Sequence, residues 1–219
     1  ATSGGPTITI TKSDTSVFDP VLCELSYRWF CPPGGQILDP FAGGSVRGIV
    51  AGLLGYRYWG CDLRAEQIEA NVDQAGEIMP DGSGVEWVAG DSLETIPAAA
   101  PDADFILSCP PYGDLERYSD DPRDLSTMEY HTFLAQYKRI ILRACSKLKN
   151  NRFACFVVGN FRAKDGALRD FVGDTMRAFE EQGLSYYNEI ILVNTCGSLP
   201  MRINAQFSKS RKIGRRHQT

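Results

Sequence analysis

The sequence predicts an α/β protein: a mostly parallel, doubly wound sheet of about seven strands with helices on both faces. Three observations carry that expectation. Short apolar runs alternate with helix-periodic stretches, the spacing of βαβ units. No internal repeat, low-complexity tract or long linker divides the chain. Its 219 residues, 43% hydrophobic and 23% charged, have the length and composition of one globular domain, 1–219. At that length about 70% of the unfolded surface is buried, so the fold needs no staples.

The elements follow in order. GQILDPFAG reads as a short buried strand ending in a loop, and SVRGIVAGLLG as a helix of small residues closed by Gly55. YRYWGCDL is a second strand. RAEQIEANVDQAGEIM is an amphipathic helix stopped by Pro80. VEWVAGDS and ADFILSC are the third and fourth strands. STMEYHTFLAQYKRIILRACSKLK is a long helix opened by a Ser or Thr cap. RFACFVVGNF is a fifth strand, ALRDFVGDTMRAFEEQG a helix with a Gly stop, and YYNEIILVN a sixth strand. On the helical segment before the first strand, Trp29 and Phe30 are expected in the core, as large aromatics usually are.

Composition excludes several classes. No apolar run approaches the roughly 20 residues of a membrane helix, and ATSGGPTITITKSD lacks the regions of a signal peptide. Seven widely spaced cysteines without a C-x-x-C pair argue against a disulfide framework or zinc site and for a reducing cytoplasm. With only His131 and His217, a His-based metal site or Ser-His-Asp triad is not expected. No metal is predicted. The charge is uneven: Lys209, Arg211, Lys212, Arg215 and Arg216, set aside, take the rest of the chain from −4 to −9. An acidic body with a basic end suits a phosphate-binding patch or a solvated tail.

In open parallel sheets, ligands bind at the carboxyl ends of the strands. The first such end is DPFAGGSVRG, where glycines let a ligand approach the backbone. No G-x-G-x-x-G is present, and Asp39 comes first. A pyrophosphate gains nothing from that acid, whereas a ligand with an ammonium does. Asp62, followed by Leu63, ends the second strand, where a carboxylate can accept from two ribose hydroxyls. Asp91, followed by Ser92, ends the third, within reach of an adenine amino group. An amino acid, a ribose and an adenine together describe S-adenosyl-L-methionine. Each acid also has a local reading: Asp39 and Asp62 as caps of the following turn or helix, Asp91 as a turn residue.

DPFAGGSVRG resembles the cofactor loop, D-P-F-x-G-x-G, of the amino-methylating DNA methyltransferases. SCPPY resembles their catalytic motif, (D/N/S)-P-P-(Y/F/W). The likeness spans roughly residues 18–193 and extends to small methylases of phages and prophages. It implies a Rossmann-like class I methyltransferase fold, and a DNA methyltransferase acting on N4 of cytosine or N6 of adenine in double-stranded DNA. It further implies a cytoplasmic protein of a bacterial or phage-infected cell, and cofactor contacts from Phe18, Asp19, Asp39, Pro40, Phe41, Gly43, Asp62, Leu63, Asp91 and Ser92. The catalytic positions are Cys109, Pro110, Pro111 and Tyr112.

The chemistry of that turn follows from its residues. Two prolines fix the backbone and remove donors, so the Pro110 carbonyl is held to accept from an exocyclic amino group. Tyr112 offers a face to an extruded base, whose unstacking costs a few kcal/mol. Alignment of the amino nitrogen with the methyl group does the rest. The chain departs from the pattern at Cys109, a weak acceptor where the family has Asp, Asn or Ser. Three readings stay open: amino methylation carried by the Pro110 carbonyl, C5-cytosine methylation with Cys109 as nucleophile, or a non-catalytic binding subunit. An RNA or protein methyltransferase with the same turn is a further alternative. GDLERYSDDPRDLS, with Asp114 and Glu116, reads as a mobile loop over the site.

A separate target-recognition domain is not expected, so loops, a short target site or a second subunit, for example in a homodimer, must supply recognition. The segment 1–17 is read as an N-terminal extension and 195–219 as a basic segment. In the latter, Arg202, Lys209, Arg211, Lys212, Arg215 and Arg216 are the expected phosphate contacts, with Arg162 and Lys164 secondary.

Overall fold

Five of the apolar runs become one sheet: β1 (Gln36–Asp39), β2 (Arg57–Asp62), β3 (Val85–Ala89), β4 (Ala103–Ser108) and β5 (Leu148–Phe156). The structure is a computed structural model and describes residues 17–79, 84–115, 117–193 and 217–218. All neighbouring strands are parallel, in the order β3-β2-β1-β4-β5. Every residue of β1 and β4 is buried, which is why these central strands read as unbroken apolar runs. The order reverses between β1 and β4, where such sheets open a crevice beyond the strand ends.

Among the described residues six helices cover the sheet: α1 (Pro20–Phe30), α2 (Val46–Leu53), α3 (Ala65–Ile78), α4 (Ser92–Ala99), α5 (Tyr130–Cys145) and α6 (Phe171–Glu180). The alternation of strand side chains makes two hydrophobic layers. Ile37, Tyr58, Phe105 and Leu107 pack with Cys23, Tyr27, Ile49 and Ile68 of α1, α2 and α3. Leu38, Trp59, Cys61 and Ile106 pack with Ile96, Phe133, Tyr137, Ile140 and Phe171 of α4, α5 and α6. A doubly wound sheet is therefore what forms. Among the described residues no helix is long and apolar enough to cross a membrane.

Several boundaries differ from expectation. Among the described residues the main sheet has five strands, against about seven expected. Two further antiparallel pairs stand apart: β6 (Phe161–Arg162) with β7 (Leu168–Arg169), and β8 (Leu192–Val193) with β9 (His217–Gln218). The expected sixth strand thus contributes only β8, outside the main sheet. The helix α4 was not anticipated. It is short, it carries Pro97, and its N-cap is Asp91, whose side chain accepts from Leu93 N. The long helix begins at Tyr130, because Leu125–Thr127 forms a 3₁₀ turn capped by Asp124 instead. β5 starts before Arg152: Asn151, at φ 57°, takes up extra residues in a bulge against β4. Trp29 is 60% exposed rather than buried, while Phe30 packs on Phe105 and Phe153. The expected Pro80 stop and the segments 1–16 and 194–216 lie outside the described residues.

Gly48 in α2 shows how closely the layers meet. A Cβ built there would overlap the indole of Trp87. Alanine should favour a helix by about 1 kcal/mol over glycine. The overlap should cost about 1–3 kcal/mol. Gly48→Ala is therefore expected to lower the urea midpoint with an unchanged slope; a raised midpoint would show that the indole moves aside freely.

Candidate active site

At the carboxyl ends of β1 to β4 the loops enclose a cavity of about 790 Å³, within the range of roughly 300–1,000 Å³ for small-molecule sites. β1 ends on Asp39, which has no exposed surface. Each carboxylate oxygen meets two donors. Oδ2 accepts from Arg47 Nε at 2.6 Å and Tyr58 OH at 2.8 Å, and Oδ1 from Ser108 Oγ at 2.5 Å and Phe41 N at 3.2 Å. Arg47 also donates from Nη2 to the carbonyls of Phe41 and Ala42, at 2.6 and 2.9 Å. Burial alone would push the guanidinium down, but Asp39 against it holds it above the ordinary arginine value. Burial, with Asp39 adding to it, raises the Tyr58 hydroxyl well above its usual range, so it stays a donor.

This geometry corrects one expectation. The Asp39 oxygens, expected to face a ligand ammonium, are engaged by protein donors, and the side chain lies behind the cavity wall rather than in it. Asp19 is corrected likewise. It caps α1, accepting from Val21 N at 2.8 Å, and does not line the cavity. Phe18 does line it, with its ring 4.7 Å from the Arg47 guanidinium carbon.

Pro40, Phe41, Gly43 and Leu63 all line the cavity. Gly43 has φ 50°, and a Cβ at Gly43 or Gly44 would meet nothing within 4 Å, so the loop presents bare backbone to open space. Asp62 fixes this loop from β2. Its Oδ2 accepts from Gly43 N and its Oδ1 from Arg64 N, both at 3.0 Å. Burial raises the Asp62 carboxyl above its ordinary value, against the opposing donors of Arg64 and Gly43. Asp91 lines the cavity while capping α4, so its local role and its site position coexist. Ser92 donates to the Pro40 carbonyl at 2.6 Å and sits 3.1 Å from Cys61 Sγ.

β4 delivers the proline turn. Ser108 turns inward to Asp39, whereas Cys109, Pro110, Pro111 and Tyr112 line the cavity. The Tyr112 ring is set edge-on against Phe161 and Phe171, at 6.2 and 5.8 Å. Gly159, Asn160 and Phe161, after β5, form the adjoining wall, with Asn160 Oδ1 accepting from Val172 N at 2.8 Å. Burial pushes the thiols of Cys23, Cys31, Cys61 and Cys145 up to about 12 and Cys155 up to about 11, marking them as packing groups. No disulfide links the six described cysteines, and no His/Cys/Asp/Glu cluster among the described residues suits a metal.

The polar loop after the turn does lie over the site, through Leu115, Tyr118 and Arg123. Asp124 gathers Ser119 Oγ, Ser126 Oγ and Ser126 N at 2.7, 2.7 and 2.8 Å, and the Tyr118 ring lies 6.0 Å from the Arg64 guanidinium. Glu116, the Asp114 side chain and Arg202, Lys209, Arg211, Lys212, Arg215 and Arg216 lie outside what is described. Arg47 and Asn160 line the cavity and Tyr58 supports Asp39 behind it, three positions that no sequence motif marks. An arginine one turn beyond a glycine loop was the available signal for the first.

The fold recurs in solved methyltransferases. Magnesium protoporphyrin IX methyltransferase (ChlM) from Synechocystis PCC 6803, with bound SAM, matches at a TM-score of 0.55 and 11% identity, over 80% of this chain and 74% of that one. A putative rRNA methylase from Clostridium thermocellum matches at 0.51 and 11%, over 82% and 89%. TrmN from Thermus thermophilus matches at 0.50 and 20%, over 63% of this chain but only 37% of its own. This chain therefore spans little more than a third of TrmN. No protein-family profile and no curated protein sequence matches the chain. At these identities the likeness defines the fold, which is the Rossmann-like class I fold of S-adenosylmethionine-dependent methyltransferases.

The Asp39–Arg47 pair can be tested as a unit. Arg47→Leu should destabilise the protein by about 3–5 kcal/mol, because it leaves a buried carboxylate uncompensated. Asp39→Asn in the same chain should restore part of that loss. Denaturant unfolding of the two singles and the double measures the coupling, and additive losses would contradict the pairing.

Proposed function

We propose that the protein is an S-adenosylmethionine-dependent methyltransferase that modifies an exocyclic amino group, N4 of cytosine or N6 of adenine, in double-stranded DNA. One observation carries the reading. The Ser108–Asp39 hydrogen bond ties the proline turn to the glycine loop, so both motifs open onto one cavity. The residues present fit the cofactor: bare backbone at Gly43 and Gly44 for close approach, Asp62 for a ribose diol, and Asp91 for an adenine amino group. When bound, S-adenosylmethionine supplies an electrophilic methyl group.

The other end of the cavity suits a base. Tyr112, held by Phe161 and Phe171, offers a ring to an extruded nucleobase and offsets part of the few kcal/mol of unstacking. The Pro110 carbonyl, stiffened by two prolines, accepts from the amino group and orients its lone pair. Phosphate contacts are expected from the basic C-terminal residues and from Arg162 and Lys164, both exposed in the β6–β7 hairpin, whose Phe161 lines the cavity.

One observation favours a second reading, C5-cytosine methylation: Cys109 rather than Ser108 lines the cavity. The two readings separate on one variant. With tritiated donor, label is expected in duplex DNA and not in RNA or protein, and mass spectrometry of the digested nucleosides should show an amino-methylated base. Cys109→Ser should retain that activity. Its abolition, with C5-methylcytosine as the wild-type product, would sink the amino reading in favour of the thiol.

The raised Asp62 carboxyl gives a pH test. The ionised form accepts from ribose hydroxyls, so donor affinity should weaken as pH falls and the raised Asp62 carboxyl takes up its proton. Calorimetric titration across pH should show that loss in the wild type and a flat profile in Asp62→Asn. Identical profiles would remove Asp62 from the cofactor contacts.

A further inference from the structure

We propose that Arg47 forms an anion subsite at the α2 end of the cavity and takes the carboxylate of the donor's amino-acid portion. The inference rests on the cofactor reading above and reverses the polarity that the sequence suggested at this corner. Arg47 is 5% exposed and lines the cavity. A guanidinium carries five N–H donors and does not deprotonate in proteins. Nε is committed to Asp39, and Nη2 to the carbonyls of Phe41 and Ala42. Among the described residues no hydrogen bond engages Nη1. A charged nitrogen with two donors left over, on a side chain otherwise buried at the cavity wall, can take an acceptor from the ligand.

The surroundings agree in sign. Ser45, at the N-cap of α2, makes no side-chain capping bond, and Ser45 and Val46 also line the cavity. The first N–H groups of α2 have no intrahelical partner, and the helix dipole there favours an anion. Asp39, which would repel a carboxylate, is neutralised by its donors on the far side of the guanidinium. The Phe18 ring covers a face of that guanidinium and helps shield it from solvent. An ammonium placed here would meet Arg47 and a helix N-terminus, both positive.

Calorimetric titration of the whole chain with S-adenosylmethionine and with its decarboxylated analogue tests the subsite. The analogue keeps the sulfonium, adenosine and amine. The wild type is expected to bind it about tenfold to a hundredfold more weakly, the loss of charge-assisted hydrogen bonds. Arg47→Lys keeps a cation against Asp39 but lacks the fork, and in the folded variant the gap should shrink to a few fold. Equal affinities in the wild type, or an undiminished gap in folded Arg47→Lys, would overturn the subsite and leave the cofactor reading standing. Binding of neither ligand would overturn both. If Arg47→Lys does not fold, ¹⁵N spectra of the wild type decide. The guanidinium signal of this buried arginine should shift with S-adenosylmethionine and not with the analogue, and a shared or absent shift counts against the proposal.

Discussion

Asp39 is a fully buried carboxylate at the tip of β1, and it is tolerated there because each of its oxygens meets two donors. Those donors come from four places: the loop after β1, the first turn of α2, β2 and the end of β4. One side chain therefore fixes the relative positions of the glycine loop and the proline turn. Losing any single donor would leave an uncompensated lone pair, so the four are expected to persist or fail together. Asp39 thereby links the loops that line the cavity without lining it itself.

From that hub the division of the cavity follows. The strand order reverses between β1 and β4, which separates the loops on either side and leaves a crevice between them. On one side lie Gly43, Asp62 and Asp91, suited to an adenosyl group. On the other lie Cys109 to Tyr112, with Asn160 and Phe161, suited to a flat acceptor. Ser92 and Ser108 tie the two sides back to Pro40 and Asp39. The reacting partners would thus meet where the framework is most constrained, and positioning is the main thing a methyl transfer requires of it.

Much of the fold was legible in the sequence, because the parallel strands are continuous apolar runs punctuated by Gly, Pro and Asp. The strands β1, β2, β3 and β4 and the helix α3 follow directly from that pattern. What was hidden depended on contacts across the chain or on local chemistry that competes with periodicity. The start of β5 is masked by the polar bulge Lys149–Arg152, held by Asp104 through Lys149 and Arg152. The helix α4 is short and contains Pro97, although Asp91 with Glu94 three residues on is a capping pattern that marks its start. In the site, the positions of Asp62, Asp91 and Cys109 to Tyr112 were readable as strand ends. The hydrogen-bonded setting of Asp39 was not, since Arg47, Tyr58 and Ser108 lie 8, 19 and 69 residues away along the chain.

A crystal structure with S-adenosylhomocysteine bound would test the account at its centre. It should place the adenosyl group along Gly43, Asp62 and Asp91 while Asp39 keeps its bonds to Arg47, Tyr58 and Ser108. A ligand amino group bonded directly to Asp39, with Arg47 turned away, would contradict it.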